Sequence, residues 1–304
     1  MKNLKNYVYL LVLIVLSSSC AYNKNFLQPT KYNETTKSIT ANKTKTDSIV
    51  VKYNGKPYQP YLIKNGTDTV TFNYTIESVI FKNSDNVNLN GWMMKPKNNQ
   101  NITKTILHFH GNTGSLLGQF GAIKPLLEKG FQIFVFDYSG FGFSEGEATR
   151  ANLLTDGIAA VDYLKTRSDV KNTKLILYGQ SYGGHLSICV ASKTQDKIDL
   201  IVAEGSFSNH DDLSSQGVSK FFGFMSRIFV REIYAATDEI KKIKKPILLI
   251  HSSEDKVIPF WMGEKLFQNA KEPKRFLQLT GKHLEATTNN LDEVATAITD
   301  MLKK

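Results

Sequence analysis

The chain has 304 residues, 41% of them hydrophobic and 22% charged, which is the composition of a globular protein with a sizeable core and excludes a disordered or collagen-like chain. Lys and Arg outnumber Asp and Glu by 38 to 28, a formal charge of +10; whether this marks a nucleic-acid or anionic-membrane partner depends on where the charge sits. Two cysteines, Cys20 and Cys189, exclude a disulfide-stapled scaffold and a cysteine-rich metal site. The lack of an 18-residue apolar run beyond the N-terminus excludes a polytopic membrane protein.

Lys2 and Lys5 precede the apolar stretch Tyr7–Leu16, and Ser17, Ser18 and Ser19 lead to Cys20. A positive end, a short apolar run and small residues describe a secretory signal, too short to cross a bilayer as a helix. A cysteine directly after the small residues resembles the bacterial lipobox, with Ser17 where a large aliphatic residue is usual. The resemblance implies removal of residues 1–19 and acylation of Cys20, which would hold the mature chain on a membrane of the bacterial cell envelope, at the periplasmic face or the cell surface. Ordinary cleavage beside a free Cys20, and an uncleaved anchor, are the alternatives. Residues 20–47 are rich in Asn, Thr and Lys, show neither helix nor strand periodicity, and read as a disordered tether. Lys24, Lys31, Lys37, Lys43 and Lys45 lie there, and the other cations are scattered singly or in short clusters such as Lys241, Lys242, Lys244 and Lys245. No basic stripe interleaved with aromatics remains, so a nucleic-acid partner is excluded.

From residue 48 to 304 the chain reads as one domain. Val50–Tyr53, Val70–Tyr74 and Ser78–Phe81 are β-branched and aromatic, with turns at Asn54-Gly55 and Asn65-Gly66, and Asn88–Met94 closes an antiparallel hairpin ended by Pro96. Buried-strand runs follow at Thr105–Phe109, Ile133–Phe136, Leu175–Tyr178, Leu200–Ala203, Ile247–Ile250 and Phe276–Leu279. Helical patterns fall among them near Leu116–Lys129, Ala151–Lys165, His185–Ser192, Gly263–Asn269 and Leu291–Leu302. This alternation predicts an α/β fold, a mostly parallel doubly wound sheet with helices on both faces, behind an N-terminal antiparallel hairpin. Ligands in such sheets bind beyond the carboxyl ends of the strands.

The loops at those ends hold chemistry. Gly179-Gln180-Ser181-Tyr182-Gly183 is G-x-S-x-G between a strand and a helix, where small neighbours permit a sharp turn around a nucleophile. A second match, Gly142-Phe143-Ser144-Glu145-Gly146, follows a glycine-rich loop and opens no helix, so Ser144 reads as a turn residue. A serine hydroxyl needs a base and an acid to orient that base. Asp255 follows the strand Ile247–Ile250 and is the candidate acid, with Glu254 and Glu204 as alternatives; His283 follows Phe276–Leu279 and is the candidate base. The oxyanion donors are expected to be the backbone N–H groups of Tyr182 and Asn112, the latter in the loop His110-Gly111-Asn112-Thr113-Gly114. His110 reads as a brace for this loop. His108 and His110 lack a third histidine at ligand spacing, so no metal site is expected.

HGNTGS from His110, DYSGFGFSEG from Asp137, GQSYGG from Gly179, SSEDKVIP from Ser252 and GKH from Gly281 together resemble the α/β-hydrolase superfamily over about 77–304. The likeness is to single-domain serine hydrolases of the monoacylglycerol-lipase and serine-aminopeptidase-like branch. It implies hydrolysis of an ester, thioester or peptide through an acyl-enzyme on Ser181, Asp255 and His283, with no metal or organic cofactor. Ser139 stands where those relatives usually carry arginine, and His185 replaces their usual small residue four after the serine. A small cap is expected at 206–245. Its aromatics, Phe207, Phe221, Phe222, Phe224, Phe229 and Tyr234, form either an acyl pocket or a helix face packed on the core; Phe221, Phe222, Phe224 and Phe229 are the candidate substrate contacts. Cys189, between Ile188 and Val190, reads as a core thiol. A membrane-tethered ester hydrolase acting on a small acyl substrate is the leading reading. A peptidase on the same residues, and an idle fold used for binding, are the alternatives. The oligomeric state is not legible.

Overall fold

The computed structural model describes residues 26–43, 48–66, 68–98, 101–216 and 232–304. Cys20 and the four candidate pocket residues Phe221, Phe222, Phe224 and Phe229 lie outside these residues, as does the signal. Fourteen strands are described, in chain order: β1 (Gln28–Pro29), β2 (Ser38–Lys43), β3 (Ser48–Tyr53), β4 (Pro60–Lys64), β5 (Asp68–Thr69), β6 (Tyr74–Lys82), β7 (Asn88–Pro96), β8 (Lys104–Phe109), β9 (Thr113–Gly114), β10 (Gln132–Phe136), β11 (Lys174–Gln180), β12 (Leu200–Glu204), β13 (Ile247–Ser252) and β14 (Lys274–Leu279).

The main sheet has eight strands in the order β14-β13-β12-β11-β8-β10-β7-β6. From β8 to β14 every pairing within it is parallel, and β7 joins antiparallel to β10 and to β6. The strands β10 and β12 are buried at every position, as expected where helices cover both faces of a parallel sheet. The helices Arg150–Thr166, Tyr182–Lys193 and Phe260–Asn269 pack on one face, against Phe109, Leu177, Ile201 and Leu249. On the other face the helices Leu116–Ile123 and Leu291–Met301 cover Ile106, Ile176, Val202 and Leu248. These six parallel strands and their helices match the sequence reading, as does the hairpin β6–β7, whose register runs from Tyr74↔Pro96 to Lys82↔Asn88.

The chain reverses direction of winding at β8: it continues to β10 on one side, then returns across to β11 on the other. Loops leaving β8 and β11 therefore part from one another, which is the position at which open α/β sheets generally bind ligands.

The expected tether is corrected by the structure. Residues 38–43 form β2, paired antiparallel with β3 in a separate four-stranded sheet, β2-β3-β4-β5, and β1 pairs in parallel with β9. The boundary placed at residue 48 thus falls within a hairpin. Both strands are held by main-chain hydrogen bonds, and their sequences, QP and SITANK, hold too few apolar residues to show an alternation. Val51, Tyr53, Tyr58 and Leu62 of this sheet are buried against the main domain, with Tyr58 stacked on Phe143 at 4.1 Å between ring centroids. The expected strand Val70–Tyr74 begins only at Tyr74, and β4 was not anticipated. Among the described residues no helix is long and apolar enough to cross a membrane.

Candidate active site

Ser181 sits between β11 and the helix Tyr182–Lys193 with φ +56° and ψ −119°, a left-handed conformation costly to any residue with a Cβ. Its surroundings enforce it. A Cβ on Gly183 would overlap the Phe109 carbonyl, and one on Gly179 the Gly183 carbonyl, so the turn closes only with glycine on both sides. Ser181 occupies the N-cap of its helix without making a side-chain cap. Thr149 and Asn209, by contrast, use their side chains to cap their helices. The Ser181 hydroxyl is thereby kept for other use.

Asp255 and His283 come together from the loops after β13 and β14. His283 Nδ1 and Asp255 Oδ2 are 2.6 Å apart, and Oδ1 of Asp255 accepts from the backbone N–H groups of Val257 at 2.8 Å and Ile258 at 2.9 Å. Burial pushes the Asp255 carboxyl up, but the His283 contact and these two amides outweigh it and hold the carboxyl below its ordinary value. The end of β12 touches both the serine turn and His283. The Ser181 N–H donates to the Glu204 carbonyl at 2.9 Å, and the next residue, Gly205, has φ +55° and leaves space where a Cβ would stand 3.0 Å from His283 Cε1. With Nδ1 committed to Asp255, Nε2 is the ring nitrogen that this contact does not engage.

The alternative acids are engaged elsewhere. Glu254 Oε2 accepts from the Gly281 N–H at 2.9 Å. Glu204 is buried under Tyr178 and Gln180, whose hydroxyl and amide donate to its Oε2 at 2.9 and 2.8 Å, and its Oε1 accepts from the Ala286 N–H; burial raises its pKa. Sequence reasoning missed His251. It lies 3.6 Å from Asp255 Oδ2, makes a 2.9 Å contact through Nε2 with the Ile258 carbonyl, and has its pKa lowered chiefly by burial.

Two backbone amides, of Tyr182 and Asn112, belong to the loops that part at β11 and β8. Tyr182 opens its helix, and its ring is buried with the hydroxyl 2.6 Å from that of Tyr234. The Asn112 loop is braced from beneath. The His110 ring contacts the Gly111 carbonyl at 2.8 Å through Nδ1, and the Tyr138 hydroxyl donates to the His110 carbonyl at 2.9 Å. Burial pushes His110 down to about 3 and His108 to about 4, so both stay neutral.

Asp137, at the end of β10, was unassigned by the sequence. Its Oδ1 accepts from the Leu116 N–H at 2.6 Å, its Oδ2 from Asn90 Nδ2 at 3.2 Å, and burial pushes it up to about 6. It ties the helix after the Asn112 loop to the 137–146 turn. Ser139, the departure from the arginine pattern, donates N–H and hydroxyl to the buried Asp156 at 2.7 and 2.9 Å, an anchor that needs a small side chain. The other departure, His185, does not sequester Ser181: its ring contacts the Phe207 and Tyr234 carbonyls at 3.2 and 3.3 Å and stacks on Phe207.

Of the expected cap, Phe207 and Tyr234 are buried around Tyr182. Cys189 is fully buried, and its thiol is pushed up by that burial. His185, His210 and Glu232 bring one possible ligand atom each within 4.8 Å of one another, a cluster the sequence reading did not foresee. His185 already faces two carbonyls, and Glu232 Oε1 lies 3.8 Å from the Arg150 guanidinium, so the carboxylate has a cation beside it.

A family model described as alpha/beta hydrolase fold matches residues 104–233. The uncharacterized protein YfhR of Escherichia coli K12 is 33% identical over 226 residues, covering 73% of this chain and 78% of that one. Protein bem46 of Schizosaccharomyces pombe is 30% identical over 190 residues, covering 62% and 63%. Among solved structures, the Pyrococcus furiosus esterase Pf2001 superposes with a TM-score of 0.61 at 20% identity, over 76% of this chain and 90% of that one. Est1E of Butyrivibrio proteoclasticus, solved with ferulic acid, gives 0.60 at 21%, over 74% and 100%. These two likenesses are of fold. With the family match, the identity to YfhR over most of its length and the observed sheet order, the chain belongs to the α/β-hydrolase fold family.

Proposed function

We propose that the protein is a serine hydrolase that cleaves carboxylic esters through an acyl-enzyme and is held on a membrane by an acylated Cys20. The reading is carried by the Asp255–His283 pair at 2.6 Å, which packs on Gly205 directly after the Glu204 carbonyl that accepts from the Ser181 N–H, together with a serine held at φ +56° and not spent on capping. In this reading Ser181 Oγ attacks the ester carbonyl and its proton passes to His283 Nε2, while Asp255 holds the ring through Nδ1–H and stabilises the imidazolium. The developing oxyanion lies against the N–H groups of Tyr182 and Asn112. His283 then returns the proton to the departing alcohol, and water attacks the acyl-enzyme with the same residue as base, releasing the acid and restoring Ser181.

An ester is favoured over a peptide because structural neighbours such as Pf2001 are described as esterases, and a panel of acyl esters against aminopeptidase substrates separates the two. The decisive experiment compares fluorophosphonate labelling of the parent with Ser181→Ala: labelling of the parent alone is expected, and equal labelling of both proteins refutes the assignment. For the anchor, Cys20→Ser is expected to move the protein from the membrane to the soluble fraction; unchanged partitioning refutes lipidation.

A further inference from the structure

The first described residues cross the carboxyl ends of the sheet as a strap. Gln28–Pro29 pairs in parallel with Thr113–Gly114. The Gln28 N–H donates to the Asn112 carbonyl at 2.8 Å, and Asn112 Nδ2 donates to the Phe26 carbonyl at 2.7 Å. Farther along, the Thr30 N–H donates to the Gly114 carbonyl, the Tyr32 N–H to the Gly142 carbonyl, and the Gly142 N–H back to the Thr30 carbonyl. The strap is thus stitched to the oxyanion loop at one end and to the 137–146 turn at the other.

This clamp fixes where one ring goes. Phe26 stands edge-on to Tyr182 at 5.4 Å, to Phe207 at 6.2 Å and to His210 at 4.9 Å between centroids. It therefore lies between the two residues whose amides would hold the oxyanion: its backbone grips Asn112 and its ring touches Tyr182. Phe26 is partly exposed while Leu27 beside it is buried. With the ring packed on Tyr182, the residue after Ser181, an acyl chain bound at the serine would gain about 25 cal/mol for each Å² of apolar contact it made there.

We propose that Phe26 is a wall of the acyl pocket and sets the preference of the enzyme for esters with an extended acyl chain, of the kind carried by membrane amphiphiles. The inference rests on the proposed hydrolase function and deepens it. Its position in the chain agrees with that substrate class. Phe26 is six residues after Cys20, and six residues of extended chain reach about 20 Å, so an acylated Cys20 would keep this wall close to the bilayer that holds the substrate.

The test measures kcat/KM for p-nitrophenyl acetate and p-nitrophenyl octanoate on the full-length protein, its Phe26→Ala and Phe26→Leu variants, and Ser181→Ala. The expected result is a loss of roughly 10-fold or more on octanoate for Phe26→Ala, a change of less than about 3-fold on acetate, and recovery of most of the octanoate rate in Phe26→Leu. An equal loss on both esters would mean that the ring only stiffens the oxyanion loop, and a gain on both that it covers the site; either result overturns the wall. Wild-type protein that turns over neither ester, or a Ser181→Ala variant that keeps full activity on both, overturns the proposed function and this inference with it.

Discussion

The pentapeptide pattern G-x-S-x-G occurs twice, at 142–146 and at 179–183, and the two copies are built in opposite ways. At 142–146 the left-handed backbone falls on the glycines, Gly142 at φ +48° and Gly146 at φ +80°, where it costs little. Ser144 is buried, its hydroxyl donating to the Asp137 carbonyl at 2.6 Å and accepting from the Asn90 N–H at 2.9 Å. At 179–183 the left-handed residue is the serine itself, and the glycines serve to let Phe109 and the helix come close. A relaxed turn uses its hydroxyl to hold structure. A strained one keeps it available, and the surrounding strands and helix supply the energy that holds it there.

Four measurements can break this contrast or sharpen it, from the largest effect to the smallest. Ser181→Ala is expected to lower ester hydrolysis by roughly 10⁴–10⁶-fold with the melting temperature unchanged or slightly raised, since backbone strain is no worse for alanine. Retained hydrolysis would make the two serines equivalent. Asp255→Asn is expected to cost roughly 10³–10⁴-fold in kcat by losing the ring tautomer that leaves Nε2 basic, measured with the same ester; a loss under 10-fold would shift the acid role elsewhere. Ser144→Ala is expected to leave fluorophosphonate labelling of the folded protein intact while destabilising it by about 2 kcal/mol, because the Asn90 N–H and the Asp137 carbonyl lose a buried partner. Urea unfolding checks this, and a stability change under about 0.5 kcal/mol would count against the structural role.

The fourth measurement uses pH. The two regions each hold a buried aspartate, displaced in opposite directions: Asp255 is held below its ordinary value, and Asp137 is pushed up to about 6. A lowered carboxyl adds stability above the unfolded-state pKa and loses it as pH falls through the folded-state value. A raised one does the reverse, so the Asp137 contribution falls as pH rises from 3.8 towards about 6. Subtracting the stability of Asp255→Asn from the parent between pH 2 and 7 should therefore give a difference that rises with pH, and the same subtraction for Asp137→Asn one that falls. Curves of the same sign would refute the contrast.

The sheet, its helices and the three candidate residues Ser181, Asp255 and His283 were legible because each follows a run of buried apolar residues, and strand runs mark loops in chain order. The space at Gly205, the brace at Asp137 and the anchor of Ser139 on Asp156 were not, because they join segments far apart in sequence whose types suit many roles. The strap was least legible. Its grip is made by main-chain N–H and carbonyl groups, which every residue possesses, so the Asn/Thr/Lys-rich stretch gave no sign of it. Ser139 and His185 stood out as departures from a pattern, yet only their partners reveal that one is an anchor and the other a packed ring.

The strap also bears on the order in which the molecule is assembled. Phe26 is bonded to Asn112, 86 residues later, and Lys31 reaches Gly146, 115 residues later. The strap therefore emerges before the central strands and has nothing to pair with until they have formed and their loops are set. Closing so long a span is entropically costly before native contacts reward it. A candidate site clamped by residues that precede its scaffold in the chain is one that matures late, after that scaffold has folded.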